Sequence, residues 1–343
     1  MDTDSRLSSA HQILHPAPPG HHRALHPAPP GHHRALRPAP PDRPADTRPR
    51  VTELRLTAFR NHRRTTLPLT PLTLLAGASG SGKSNALQAY EALALLAAGA
   101  RLRTVFPEPE RCVPEWAVAD EQGRRGFRIG CTVDGPVGPV RLDLAVQAEP
   151  ELRLVGERLS CGGRTLLTTA LRDPRRSSVQ AAWHTAGSAR VTRAPLPGDR
   201  LGTALLPLRV AGRTEGELQV LAAAEQTVVA LRSAFVCDPR PYGRHRPAPL
   251  GDGPLRYPAL ALVLLTGPAL LARDHATEVP AAHRSLTVLA DGFDRWLDRG
   301  QARALLSLAA RTVARGQLRL VGAVADASFA RGADGVTVVD LLP

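Results

Sequence analysis

"LTLLAGASGSGKS", residues 72–84, decides the fold of this chain. Leu72–Ala76 is a continuous apolar run, as expected of a strand covered on both faces. The octet Gly77–Ser84 satisfies the pattern G-x-x-x-x-G-K-[ST]. A helical pattern follows from Ser84, with Gly99 as its C-terminal stop. Strand, glycine-rich loop and helix in this order predict backbone amides that surround phosphate oxygens at a helix N-terminus.

Lys83 is the only lysine among the 44 lysine and arginine residues of the chain. A lysine ends in a compact ammonium group that reaches the β- and γ-phosphates, whereas the broad guanidinium of arginine does not fit the enclosed loop in the same way. Ser84 supplies a hydroxyl ligand for Mg²⁺. We therefore predict that ATP and Mg²⁺ bind here. The predicted nucleotide-binding residues are Gly77, Ala78, Ser79, Gly80, Ser81, Gly82, Lys83 and Ser84.

The first fifty residues repeat the eleven-residue unit "HPAPPGHHRAL" at 15–25 and again at 26–36. This segment is rich in proline and histidine and has few large apolar side chains, so burial cannot offset the loss of chain entropy. We predict that 1–50 is a disordered tail and that 51–343 is the folded domain.

Composition limits the partners and the cellular compartment. The net charge of +13 favours a polyanionic partner such as DNA. The four cysteines lie far apart and no signal peptide precedes them, which favours a reduced, cytoplasmic setting. The longest apolar run, 259–272, is too short to span a bilayer, so we expect no membrane insertion.

The middle of the folded domain, about 102–235, has the pattern of β-structure. Alternating apolar residues predict a hairpin over 127–146, and a second hairpin turns at Gly162-Gly163. Helices are predicted at 214–232, 255–266 and 299–315, and strands at 285–291, 318–324 and 336–340. The predicted fold class is α/β: a P-loop NTPase sheet with an inserted β-rich lobe at about 102–235.

Three stretches together resemble the RecF- and SMC-like ATPases, which are AAA-type proteins with an ABC-type head. The segment 54–93, "LRLTAFRNHRRTTLPLTPLTLLAGASGSGKSNALQAYEAL", is similar to their N-terminal strand, "FRN" turn and P-loop ending in "GKSN". The segment 249–265, "PLGDGPLRYPALALVLL", resembles the signature of the small RecF-like branch, and 286–298, "LTVLADGFDRWLD", resembles Walker B and the D-loop. The matching residues are Phe59, Arg60, Asn61, Asn85, Leu250, Asp252, Gly253, Leu255, Arg256, Asp291, Phe293, Leu297 and Asp298.

The resemblance implies an ATP-dependent homodimer in which the P-loop of one copy faces the signature loop of the other. Asn85 and Gly253 then join the nucleotide-binding residues. Asp291 is the implied catalytic residue and, with Ser84, the implied metal ligand. The length of the chain leads us to expect a small branch member without a coiled coil or a nuclease domain.

The chain also departs from the family pattern. Gly292 stands where the family has its catalytic glutamate, and a glycine cannot orient or deprotonate water. The stretch 321–332 contains no switch histidine, Gly251 replaces the signature serine, and Gln122 is the candidate for the metal-contacting glutamine. Asp294 and Asp298 are the carboxylates that could substitute for the glutamate.

Two hypotheses remain open after the sequence. The chain is an ATP-binding protein with slow or impaired hydrolysis that acts on DNA in repair, maintenance or defence. Alternatively, it is a non-catalytic, nucleotide-gated dimerisation module that regulates a protein partner. The P-loop and the basic charge favour the first, whereas Gly292 favours the second.

Overall fold

The computed structural model of the chain describes residues 48–171, 177–186, 190–237, 257–267, 285–316 and 318–342. Within this part of the chain the strands form two β-sheets. The strands in chain order are β1 Arg50–Phe59, β2 His62–Pro68, β3 Leu72–Ala76, β4 Arg125–Asp134, β5 Val140–Glu149, β6 Arg153–Cys161, β7 Arg164–Ala170, β8 Ser178–Ala186, β9 Arg190–Pro197, β10 Ala234–Val236, β11 Leu286–Ala290, β12 Leu318–Ala323 and β13 Thr337–Asp340. The helices in chain order are α1 Lys83–Ala97, α2 Leu102–Val105, α3 Gly202–Leu205, α4 Glu215–Arg232, α5 over 257–267 and α6 Arg299–Ala314.

The parallel sheet has the strand order β10-β11-β12-β3-β13. Every residue of β3, β11 and β12 is buried, as predicted for strands covered on both faces. Helices α5 and α6 contribute Leu264, Leu305 and Ala309 to the cluster on one face, and α1 contributes Tyr90 and Leu93 to the cluster on the other. The predicted α/β class is therefore confirmed.

The second sheet is antiparallel, with the order β2-β1-β4-β5-β6-β7-β8-β9. The predicted hairpin over 127–146 is confirmed, because Phe127 pairs with Val146 and Ile129 with Leu144. The predicted turn at Gly162-Gly163 is also confirmed. Both glycines have positive φ, 56° and 76°, the conformation that a two-residue type I′ hairpin turn requires and that glycine adopts without strain.

The antiparallel sheet extends beyond the lobe predicted at 102–235, because β1 and β2 precede the P-loop in sequence and belong to it. β4 pairs with β1 over six backbone positions between Val51 and Ala58 and one more at Arg50. In β1, Leu54 and Leu56 face the core and alternate with Glu53 and Arg55 on the other face, yet Arg55 is also buried there. Its guanidinium is buried and donates to Asp143, Glu53, Thr132 and two main-chain carbonyls, which together replace the water it loses.

The helix ends follow local capping rules. Thr214 caps α4 by accepting from the Glu217 amide, and Asp298 forms a capping box with Gln301 at α6. Gly316, at φ 81°, follows the end of α6, which agrees with the predicted helix at 299–315. Among the described residues no helix has the length and apolar content needed to cross a bilayer, and none of the four cysteines forms a disulfide bond.

Candidate functional site

The loop between β3 and α1 turns on glycines that no other residue can replace without strain. Gly77, Gly80 and Gly82 have φ values of 142°, 84° and 96°. A Cβ on Gly77 would lie 2.5 Å from the Leu341 carbonyl oxygen and 2.7 Å from Ser81 Oγ. The residue that follows β13 therefore packs directly against the loop, and the loop needs glycine for space as well as for conformation.

Helix α1 begins at Lys83 immediately after this loop. Its N-cap is Gly82, which has no side chain to accept a hydrogen bond, and its first turn contains no acidic residue. The amides of the first turn therefore have no side-chain cap, and they carry the positive end of the helix dipole. This arrangement favours an anion at the loop.

The Lys83 ammonium lies against the loop rather than extending into solvent. Nζ donates to the Gly77 carbonyl at 2.7 Å and to the Ala78 carbonyl at 2.8 Å. The lone lysine of the chain is thus held by the backbone that the sequence motif assigned to phosphate binding. Phosphate oxygens would compete with these two carbonyls for the same ammonium protons.

Ser84 and Asp291, the two predicted metal ligands, lie in contact. Ser84 Oγ donates to Asp291 Oδ1 at 2.9 Å, although the two residues are 207 positions apart. Hydroxyl and carboxylate oxygens are the donors that Mg²⁺ prefers, and it commonly takes one or two of them together with phosphate oxygens and water. No group of three or more His, Cys, Asp or Glu side chains suited to a metal occurs among the described residues, so this pair fits a phosphate-bound Mg²⁺ better than a metal held by protein alone.

The segment after Asp291 is fixed against the neighbouring strand β12. The Phe293 amide donates to the Ala323 carbonyl at 2.7 Å, and the buried Phe293 ring stacks on Phe329. Gly292 adopts a positive φ of 58°. A glutamate at 292 would be strained in this conformation, so the backbone here favours the glycine that the sequence has.

Asp294 and Asp298 do not replace that glutamate in this arrangement. The Asp294 carboxylate accepts from the amides of Ala325 and Asp326, and the Asp298 carboxylate caps α6. Both carboxylates therefore accept hydrogen bonds from main-chain amides. Gln122, the candidate from the sequence, lies in an exposed turn where its backbone N–H donates to the Asp120 carboxylate, and no described contact joins it to the loop.

The turn between β1 and β2 packs against the loop from the other sheet. Asn61 Nδ2 donates to the Gly80 carbonyl at 2.9 Å, and Asn85 Nδ2 donates to Asn61 Oδ1 at 2.8 Å. Arg60 Nη1 donates to Asn85 Oδ1 at 3.0 Å. The structure thus brings Arg60, Asn61 and Asn85 together, as they occur together in the sequence pattern.

Sequence reasoning missed His62. It is buried, and its Nε2 lies 3.0 Å from the Gly82 carbonyl oxygen. Burial lowers the pKa of His62 below its usual value, and the bond to the Gly82 carbonyl partly offsets this by favouring the protonated form. The only signal in the sequence was its place directly after the "FRN" stretch. The predicted signature residues 249–256, which include Gly253, lie outside the described residues.

Comparison with known proteins gives similarity at the level of structure alone. The chain is similar to an SMC head domain from Thermotoga maritima, with 14% identity and a TM-score of 0.37 over 83% of this chain and 92% of that one. It is also similar to an SMC head solved bound to the C-terminal winged-helix domain of ScpA, with 10% identity and a TM-score of 0.36 over 85% and 93% of the two chains. No protein-family model and no curated protein matches the sequence. Because both TM-scores are low, the strand order and the loop geometry carry the functional argument.

A matched pair of glycine substitutions tests the packing of the loop. A Cβ at Gly82 would lie 2.6 Å from His62 Nε2 and 2.8 Å from Asn61 Oδ1, whereas a Cβ at Gly80 meets no atom within 4 Å. Both positions have positive φ, so both Gly→Ala changes carry the same kind of backbone cost. We expect Gly82→Ala to lower the free energy of unfolding by about 1–3 kcal/mol more than Gly80→Ala, measured by urea denaturation. Equal losses would contradict this packing.

Proposed function

We propose that this chain binds Mg·ATP at the loop 77–85, with Ser84 and Asp291 as the metal ligands. The observation that carries the proposal is the 2.9 Å contact between these two side chains, at the end of a loop whose carbonyls hold the Lys83 ammonium. A phosphate cradle, a cation for the β- and γ-phosphates and a hard-oxygen pair for Mg²⁺ then lie at one end of the parallel sheet. This is the end at which open α/β sheets bind ligands.

Each residue has a distinct task in this proposal. The amides of the loop and the first turn of α1 bind phosphate oxygens, and Lys83 exchanges its bonds to Gly77 and Ala78 for bonds to phosphate. Bound Mg²⁺ would neutralise charge on the β- and γ-phosphates. Asp291 and Ser84 would exchange their mutual hydrogen bond for the metal. As a RecF/SMC-like head in the cytoplasm, the chain would form an ATP-dependent homodimer, with Gly253 of the signature contacting nucleotide on the facing copy.

We propose that hydrolysis is slow. Gly292 has no side chain to orient water, and Asp294 and Asp298 are committed to backbone amides. Contacts to the phosphates need none of these groups. Affinity for Mg·ATP can therefore be kept while turnover is lost.

A conservative and a non-conservative change at Lys83 test the binding site. We expect Lys83→Ala to weaken Mg·ATP binding roughly 10- to 100-fold, because a charge-assisted bond to phosphate is lost. Lys83→Arg should also weaken binding, because the wider guanidinium must fit where Nζ now lies 2.7–2.8 Å from two carbonyls. Isothermal titration calorimetry of the full chain measures both. Unchanged affinity in Lys83→Ala would refute the proposal.

The rate of ATP turnover distinguishes a slow ATPase from a non-catalytic, nucleotide-gated dimerisation module. Gly292 is the observation that favours the non-catalytic module. We expect steady-state phosphate release far below the ~1 s⁻¹ lower range of typical enzymes. Release that DNA stimulates and that Lys83→Ala abolishes would exclude the purely regulatory module. Tight Mg·ATP binding without any release, with or without DNA, would instead exclude the ATPase and leave a nucleotide-gated dimer with a protein partner.

A basic sheet face supports DNA as the polyanionic partner. Arg128, Arg158 and Arg193 are exposed on β4, β6 and β9. The strand register places all three on the face opposite the core, since their neighbours Phe127 and Leu159 point inward. Within the described part of the chain none of the three has a carboxylate partner. We call these three residues the basic face, and we propose that it contacts the phosphate backbone.

The basic face predicts a change in salt dependence. Replacing Arg128, Arg158 and Arg193 by alanine should weaken duplex DNA binding and reduce the slope of log affinity against log salt by about 2.7, if each arginine neutralises one phosphate. The control is the triple alanine variant at Arg209, Arg303 and Arg311, which are also exposed and remove the same charge elsewhere. Fluorescence anisotropy at several salt concentrations gives both slopes. Equal slopes in the two variants would reject the basic face as the contact.

A further inference from the structure

Two side chains of the β1–β2 turn hold carbonyls of the phosphate loop. Asn61 Nδ2 donates to the Gly80 carbonyl at 2.9 Å, and the His62 ring lies 3.0 Å from the Gly82 carbonyl through Nε2. A carbonyl can only accept, so Nε2 of His62 carries the proton and donates it. The β1–β2 hairpin of the antiparallel sheet thus contacts the loop at Gly80 and Gly82.

Holding a carbonyl also sets the direction of an amide. The carbonyl of one residue and the N–H of the next share a planar peptide unit and point to opposite sides of the chain. Fixing the Gly80 and Gly82 carbonyls toward the turn therefore fixes the N–H groups of Ser81 and Lys83 away from it. Within the loop and α1, the Ser81 amide donates to the Ala78 carbonyl at 3.2 Å, and the Gly82 carbonyl also accepts from the Ala86 amide at 2.9 Å. Because glycines rotate peptide planes at little cost, the bonds from Asn61 and His62 add to these two in keeping one orientation.

Further hydrogen bonds hold the β1–β2 turn in place. Arg60 has a positive φ of 52°, and its amide donates to the Cys112 carbonyl at 3.0 Å. Asn85 Nδ2 donates to Asn61 Oδ1, which leaves the Asn61 amide nitrogen aimed at Gly80. His62 is only 3% exposed. His62 is therefore shielded from solvent, and the bond from Asn85 orients the exposed Asn61 side chain.

We propose that Asn61 and His62 are positioning residues that preset the loop amides for phosphate. The inference rests on the proposed binding of Mg·ATP at the loop. Both residues act through the Gly80 and Gly82 peptide units rather than on the nucleotide. Affinity for Mg·ATP then depends on a hydrogen-bond donor at position 62 and at position 61.

The test compares variants that keep or remove the donor at position 62. His62→Gln places an amide N–H at the end of a side chain of similar reach, whereas His62→Leu fills space without a donor. We expect His62→Leu to weaken Mg·ATP binding about five- to tenfold, the effect of one neutral hydrogen bond. His62→Gln should bind within about twofold of the unmodified chain. Calorimetric titration gives the affinities, and thermal unfolding without nucleotide gives the stability of each variant.

Position 61 keeps the test independent of folding. Asn61 is exposed, so Asn61→Ala should leave the unfolding temperature nearly unchanged while it weakens Mg·ATP binding by a similar five- to tenfold. Thr66→Ala, exposed on the same hairpin, is the control and should bind as the unmodified chain does.

Three results would overturn the inference. Normal affinity in both His62→Leu and Asn61→Ala shows that the loop needs no support, while the proposed function stands if Lys83→Ala still loses binding. A loss in His62→Gln as large as in His62→Leu, matched by equal falls in unfolding temperature and with normal binding by Asn61→Ala, shows a role in folding alone. An unmodified chain that does not bind Mg·ATP removes the proposed function and this inference together.

Discussion

The hydrogen bond between Ser84 and Asp291 depends on the strand order of the parallel sheet. β3 and β11 run in the same direction with β12 between them, so the loop after β3 and the segment after β11 emerge at one edge. A change in that order would separate the hydroxyl from the carboxylate. The lysine, the loop glycines and the carboxylate can act on one ligand only because three buried apolar strands keep this order.

The antiparallel sheet supports the same site from a second direction. Its β1–β2 turn contacts the loop glycines, and Arg319 on β12 donates to the Val51 and Leu69 carbonyls. The guanidinium is buried, so these bonds replace bonds to water and tie the two sheets together. The phosphate loop is therefore held by both sheets, although only the parallel sheet contains the strand and helix that flank it.

Local patterns predicted the local structure well. The apolar run of β3, the glycine pattern of the loop and the alternation in the β4–β5 hairpin each act over a few residues, and the structure confirms the strand, the glycine-rich turn and the hairpin. Contacts between residues far apart in the sequence could not be predicted from these local patterns. The joining of β1 to β4, the burial of Arg55 and the contact of His62 with Gly82 depend on which segments meet in space. The contact of Ser84 with Asp291 joins the two residues that the sequence assigned to metal, and their role as ligands stays a prediction.

Amide hydrogen exchange with and without Mg·ATP tests the central claim most directly, because the claim concerns main-chain N–H groups. We expect nucleotide to slow exchange in peptides that cover 77–85 and 291–293, while peptides from β7 to β9 exchange at the same rate in both states. Unchanged exchange at 77–85 in millimolar Mg·ATP, or protection confined to another part of the chain, would contradict the account.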